Sequence, residues 1–370
     1  MTEITPAWAK AQMPRVARAV SNLPDMSGVR LAMSMHLDMK MLPLVEGLAG
    51  RGAQLFITTC NPATVRNAVV DAMRAAGARV DAFKDMPEEE WQRAIENGLA
   101  FGPTHLCEMG SDYTHFLLSR GLELPDVKAG LEATGSGISR LQGDLPPWPI
   151  FNWDDLPVKE GLHNRHMVGL TTWNAFFTRT LLSLHEKNVL VVGYGSVGQG
   201  LAASARAFGG TVMVAEIDPA RLLQARYDGW RTGSVAELAP EADVIVTGTG
   251  GHHVLPFEVI EQLRDGCFLL NSGHRIDEIE LSPLLARPRE QALPAVTTHT
   301  LASGNRVHLF VGGAMANLTG GEGDSLNAFD MTLAVMAEGI GHIVGEGEKA
   351  PQGVHLLPRA IWERACPDPV

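Results

Sequence analysis

Three glycines and one glutamate are the residues whose spacing most clearly implies chemistry. Gly193, Gly195 and Gly198 form G-x-G-x-x-G directly after the β-branched apolar run Val189–Val192, with Ser196 and Val197 inside the motif. A run of that kind is expected of a buried parallel strand. The first glycine permits a tight turn, the second lets a pyrophosphate approach the backbone, and the third lets the following helix pack on the sheet. An anion then meets the free N–H groups and the positive dipole end of that helix. Glu216 closes the next apolar run, Val212–Glu216, about 20 residues on, where an acid holds a ribose 2′-hydroxyl. An acid at that point repels a 2′-phosphate, so NAD is expected over NADP.

Other reactive side chains carry weaker signals. Cys60, Cys107, Cys267 and Cys366 are scattered without a C-x-x-C pair, as expected of reduced thiols rather than a zinc site. His252-His253 and His163 with His166 lack an acidic or thiolate partner at fitting spacing, so no metal is expected. Asp277, Glu278 and Glu280 read as a solvated face. Lys159 by itself reads as a surface lysine, and His36, at the end of an apolar run, as a hydrogen-bonded core histidine.

The elements that must position these residues follow from pattern. Residues 1–28 read as helical and polar. Strands are expected at Val29–Met35, Gln54–Thr58 and Arg79–Phe83, and helices at Leu42–Arg51, Ala63–Ala76 and Glu88–Asn97, an alternation that makes an α/β domain. Prolines and tryptophans crowd Gly143–Pro157, which reads as irregular. Strands are expected again at Val212–Glu216, Val244–Thr247, Phe268–Asn271, Val296–Thr298 and Val307–Phe310, before a long helix at Asn327–Val344. The 370 residues are ample for two cores. A hydrophobic fraction of 45%, a charged fraction of 19% and a formal net charge of −12 describe a globular chain without a nucleic-acid footprint. No apolar run is long enough to span a membrane, and the first residues lack a basic-then-apolar leader, so a cytoplasmic protein is expected.

Segments along this frame resemble the S-adenosylhomocysteine hydrolase family, in order and over most of the chain. His36-Leu37 is like the family's His-Met, and Thr59-Cys60-Asn61 like its Ser-Cys-Asn. Glu132-Ala133-Thr134-Gly135-Ser136-Gly137 resembles Glu-Glu-Thr-Thr-Thr-Gly, and Lys159-Glu-Gly-Leu-His163-Asn164 resembles Lys-Ser-Lys-Phe-Asp-Asn. Gly193–Gly200 and Ala215–Pro219 are close to the cofactor loop and the strand after it. Asn271-Ser-Gly-His274 resembles Asn-Ile-Gly-His, and Gly353–Pro358 resembles Gly-Val-His-Phe-Leu-Pro.

The resemblance implies bound NAD that oxidises a sugar 3′-hydroxyl to a ketone, acidifying the neighbouring C–H so that a thiol can be expelled and water added. It implies Lys159 as the base, with His36, Asn164, His163, His274 and His308 around the reaction. Thr134 and Asn271 join the glycine loop and Glu216 on the cofactor, and Cys60, Asn61, Met109 and Glu132 lie on the substrate side. Four positions depart from the pattern. Met109 stands for a proton-transferring Asp, Ala133 for the second Glu, His163 for the Asp paired with the lysine, and Lys40 for a Glu that contacts adenine. A methionine moves no proton and an alanine accepts no hydrogen bond. Adenosylhomocysteine hydrolysis is therefore expected to be weak or absent, and Lys159 is expected to lose an anion partner. The family's segment beyond Gly-Val-His-Phe-Leu-Pro, which supplies a Lys and a Tyr over a neighbouring subunit's NAD, has no counterpart in residues 359–370.

The expected architecture is α/β with two domains, a Rossmann NAD-binding domain at 171–317 inserted in an α/β substrate domain at 1–170 that 318–370 rejoin. The site is expected in a cleft at the strands' C-terminal ends. The resemblance also implies a homo-oligomer and a small nucleoside-like substrate. Two other readings share the motif: an NAD-linked dehydrogenase that releases NADH, and a regulatory protein that keeps NAD as a structural element.

Overall fold

The computed structural model describes residues 4–366 apart from positions 125, 142, 144 and 145. The start of the expected N-terminal helical stretch and part of the 143–157 stretch thus lie outside the described residues. The chain forms two compact units. One runs up to Lys159 and resumes at Ser325, and the other is Glu160–Asp324. Residues 160–170 and 318–324 therefore pack with the second unit rather than the first.

The first unit is built on seven strands: β1 (Arg30–Met35), β2 (Gln54–Thr59), β3 (Arg79–Val80), β4 (His105–Glu108), β5 (Ala129–Glu132), β6 (Pro149–Asn152) and the returning Gly353–Leu356. All pair in parallel, with the returning strand at one edge beside β6, then β5, β4, β1, β2 and β3. The order reverses between β1 and β4, the switch point of a doubly wound sheet. Helices cover it because parallel neighbours need crossovers. The longest, Leu326–Val344, buries Leu333–Ile340 against the sheet side that also holds Leu31, Met33 and Leu131.

Several expectations shift here. The helix expected at Ala63–Ala76 begins only at Asn67, after an extended Val65 (φ −66°, ψ 139°). The stretch read as irregular contains β6, whose four residues are all buried. Its Pro149 is tolerated because it opens the strand.

In the second unit the strands are β7 (Asn188–Val192), β8 (Thr211–Ala215), β9 (Arg231–Thr232), β10 (Val244–Thr247), β11 (Cys267–Asn271), β12 (Arg289–Leu293), β13 (Val296–Thr300) and β14 (Arg306–Phe310). Their order is β12-β13-β14-β11-β10-β7-β8-β9, with β12, β13 and β14 antiparallel and the remainder parallel. This is a Rossmann sheet with an antiparallel extension. Its switch point lies between β7 and β10, beside the glycine loop.

Two glycines let the helix Gly169–Thr180 cross the helix Ser196–Ala207 closely. A Cβ on Gly169 would stand 2.4 Å from the backbone of Gly200, and one on Gly200 would stand 2.2 Å from the Arg165 carbonyl oxygen. Among the described residues no helix is long and apolar enough to cross a membrane.

Candidate active site

Each substrate-side residue sits just past the C-terminal end of a strand of the first sheet. His36 follows β1, Cys60 and Asn61 follow β2, Met109 follows β4, Thr134 lies two residues past β5, and Asp154 two past β6. Thr64 Oγ lies 2.9 Å from both the Asn61 carbonyl oxygen and His36 Nδ1, and so holds the imidazole in place at the strand end. Asn61 Oδ1 accepts the Ala63 N–H and closes the same turn. The Cys60 thiol is buried, and burial, with the Asp112 and Glu132 carboxylates, pushes its pKa well up, which makes it an inert neutral group.

Glu132 is the hub of this edge. Its two oxygens accept from the Gly110, Ser111 and Thr134 N–H groups and from the Ser111 and Thr134 hydroxyls, at 2.7–3.0 Å. A Cβ on Gly137 would fall 2.4 Å from one of those oxygens, so only glycine leaves the carboxylate its place. Thr134 Oγ also accepts the Gly137 N–H at 2.9 Å, capping the helix Gly135–Arg140. Glu132 and Thr134, expected to touch substrate and cofactor, therefore direct these groups into the loops. Met109 and Ala133 are buried within the first unit's core.

Glu108 lies beside Glu132 in register and accepts from Tyr113 N–H (2.7 Å) and Thr114 Oγ (2.5 Å). Burial and the neighbouring Glu132 charge raise its pKa to about 8. Burial raises Glu132 as well, to about 7, and its five donors hold it below Glu108, so Glu108 is the last of the pair to lose its proton. An unfolded glutamate titrates near a pKa of about 4.3. Between that value and about 8 the folded chain holds the extra proton, so stability falls as pH rises across the window. Glu108→Gln, which mimics the protonated acid, is expected to flatten that fall and to melt above the parent at alkaline pH. Thermal melts of both proteins at about pH 6 and about pH 9 test it.

Lys159 does have an anion partner, which corrects the expectation that it lost one. Its ammonium stands 3.5 Å from Asp154, with both side chains largely buried. It opens the helix Lys159–Val168, wound as a π-helix. In an i→i+5 winding, positions four and five residues apart share a face, so His163 and Asn164 lie on the side of that helix that Lys159 occupies. His163 Nδ1 stands 2.6 Å from Asp324 Oδ2. Lys40 is buried with its Nζ 2.9 Å from Asp38.

In the second unit Gly193 has φ +97°, and a Cβ there would meet Thr249 at 2.6 Å. A Cβ on Gly198 would lie 2.0 Å from the Gly193 carbonyl oxygen. The helix Ser196–Ala207 starts at Gly195 with no side-chain cap, leaving its first N–H groups to an anion. Glu216 follows β8 and accepts the N–H groups of Tyr194, Ile217 and Asp218 at 2.6–2.8 Å, tying the ribose-side acid to the glycine loop. Oε1 takes two of these N–H groups and Oε2 one, so Oε2 retains a lone pair for a ribose hydroxyl. The guanidinium of Arg221, not singled out in the sequence, lies 3.4 Å from where a Gly195 Cβ would stand, a cation at the pyrophosphate turn. These residues fit a dinucleotide.

Three sequence-based assignments change in this unit. Asn271 is fully buried and spends its amide on Thr247, Gly273, Arg275 and Gly313, so it shapes the loop that carries the half-buried His274. Position 308 pairs with Phe268 on β11, three residues short of that strand's end at Asn271, or about 10 Å back from the edge. The half-buried His308 bonds Thr298 (2.9 Å) and packs its ring on Phe268. Glu278 is no solvated acid. It is buried and accepts the Thr249 and Gly250 N–H groups, fixing the loop after β10.

A doubly wound unit with a lysine-bearing π-helix and a dinucleotide-binding unit together define an NAD-dependent enzyme class. Residues 7–134 match the model described as S-adenosyl-L-homocysteine hydrolase, and residues 176–323 the one described as the NAD binding domain of that enzyme. S-inosyl-L-homocysteine hydrolase of Methanopyrus kandleri is 30% identical over 97% of this chain and 87% of its own. Adenosylhomocysteinase of Thermotoga maritima is 32% identical over 97% and 91%, and that of Pyrococcus abyssi 32% over 96% and 87%. The chain belongs to the S-adenosyl-L-homocysteine hydrolase family, and NAD is its cofactor.

Glu216→Ala is expected to weaken NAD binding by about 1–3 kcal/mol, the range for a hydrogen bond to a charged group. Calorimetric titration measures it. Equal affinity of the parent for NAD and NADP would overturn the role given to Glu216.

Proposed function

We propose that this enzyme oxidises a secondary hydroxyl on the sugar of a purine-nucleoside thioether, with a 6-oxopurine preferred to adenine. The observation that carries the reading is Lys159, held 3.5 Å from Asp154 at the head of a helix with Asn164 on the same face. NAD, when bound, supplies a reversible two-electron oxidation of a secondary alcohol to a ketone. Lys159, in its neutral amine form, takes the hydroxyl proton, and Asp154 stabilises the ammonium that results. His36, held by Thr64, orients a sugar oxygen.

The base preference rests on Lys40. The family resemblance puts an adenine-contacting carboxylate at this position, which accepts from an exocyclic amino group. An ammonium only donates, so it suits a ring carbonyl oxygen instead. Asp38 neutralises the buried Lys40, which removes the cost of bringing an uncharged ring to a lone cation. Relatives named S-inosyl-L-homocysteine hydrolase favour the same choice.

The purified protein, loaded with NAD, is to be given S-inosylhomocysteine and S-adenosylhomocysteine in turn. Bound NADH and released thiol are followed. Faster reduction and thiol release are expected with the inosyl compound, and thiol release from the adenosyl compound at the rate of an ordinary family enzyme would sink the proposal. Steady release of NADH into solution would favour a dehydrogenase.

A further inference from the structure

Glu160, the residue after Lys159, makes a contact in the cofactor loop that the lysine chemistry does not use. The Ser196 hydroxyl donates to Glu160 Oε1 at 2.8 Å. Both residues belong to the NAD-binding unit, so the contact is set by that unit's own fold. Ser196 opens the helix Ser196–Ala207 directly after Gly195, and no side chain caps that end. A carboxylate is favoured there by the same dipole and free N–H groups that receive a phosphate. Glu160 is exposed, so water can take over its oxygens when the contact opens.

A second contact holds the carboxylate in reach. Arg165 bonds Gln199 from the same π-helix, and Gln199 Nε2 donates to the Tyr194 carbonyl oxygen at 3.2 Å. Residues five apart share a face of an i→i+5 helix, and residues three apart neighbour each other on an α-helix. Glu160 and Arg165 thus meet Ser196 and Gln199 as one pair of contacts, which keeps the π-helix on the first turn after the glycines. The segment that Lys159–Asn164 resembles has an uncharged serine at position 160.

We propose that Glu160 competes with the NAD pyrophosphate for the Ser196 hydroxyl, and so gives the cofactor a weaker and more exchangeable hold than the glycine turn alone would give. A serine hydroxyl has one proton to donate. While Glu160 accepts it, a phosphate oxygen cannot, and an ionised carboxylate beside a dianion adds repulsion. Arg221, the cation at the same turn, acts in the opposite sense. Glu160 takes no part in making or breaking bonds. Its role is to set cofactor affinity.

The test is a calorimetric titration of the full chain with NAD, which needs no substrate. It is run at about 0.01 M and about 1 M salt, where the screening length is about 30 Å and about 3 Å. Glu160→Gln keeps an acceptor for Ser196 and removes only the charge. It is expected to bind NAD on the order of fivefold more tightly than the parent at the lower salt, and the gain is expected to fade at the higher. A merely structural role would not give that salt dependence. Ser196→Ala supplies the second measurement. If the hydroxyl passes from one acceptor to the other, its loss costs little affinity in the parent. In the Glu160→Ala background it is expected to cost on the order of threefold to tenfold, a coupling read from the double-mutant cycle. Thermal melts of each variant without added NAD report that the fold is kept. Equal or weaker binding by Glu160→Gln at the lower salt, a gain that salt leaves unchanged, or the same cost of Ser196→Ala in both backgrounds would overturn the proposal.

Discussion

Lys159→Met is expected to bind NAD like the parent and yet to form no bound NADH with S-inosylhomocysteine, a loss of on the order of 10²–10⁴-fold in the reduction rate. Methionine preserves the length and the apolar stem of lysine but can neither hold nor release a proton. Asp154, 3.5 Å away, is then left without its cation in a largely buried position. The double variant Lys159→Met with Asp154→Asn separates the two effects. It is expected to recover stability but not reduction, since an asparagine needs no counter-ion. Reduction at the parental rate in Lys159→Met would place the base elsewhere, with His36 next in line, and the catalytic reading of 159–164 would be given up.

Gly198→Ala is expected to cost about 2–3 kcal/mol of folding or binding free energy, the scale of an overpacked core. The new methyl would stand 2.0 Å from the Gly193 carbonyl oxygen, and that atom is backbone, so it cannot swing aside. Gly193 itself is held at φ +97°, and its N–H donates to Ala215 O at 2.8 Å. The strain must fall on the turn that receives pyrophosphate. NAD affinity is therefore expected to drop by on the order of a hundredfold, measured by calorimetry beside a thermal melt. A variant with unchanged affinity would show that the turn yields more easily than this packing allows.

The sequence is most readable where one physical demand fixes the residue. The glycine turn permits few alternatives, and Val244–Thr247 and Phe268–Asn271 are unbroken apolar runs that read as buried strands. His105–Glu108 and Ala129–Glu132 escape the same reading because a histidine or a glycine and a closing glutamate interrupt each apolar run. β6 is hidden by its leading proline. Asp154 and Asp324 had no signal either. Asp154 approaches Lys159 from the turn that leaves β6, and neither spacing nor residue type reveals a contact such as His163 with Asp324 that spans 161 positions. For His308 the sequence leaves two roles open, and its half-buried ring packs on Phe268 within β14.

The Glu132 hub bears on how this enzyme can change its substrate. Five internal donors hold the loops after β4 and β5 to one carboxylate, and Gly137 keeps the space for it open. The path of the backbone at 109–111 and 133–134 is thus dictated from beneath, by a fully buried side chain. Side chains at 109 and 133 are relieved of any duty to shape the loops that carry them. A methionine and an alanine can stand there without collapse of the edge, because the course of the loops is encoded by Glu132 and Gly137 rather than by the residues at 109 and 133. Selection can then change those two positions one substitution at a time, with the fold held constant.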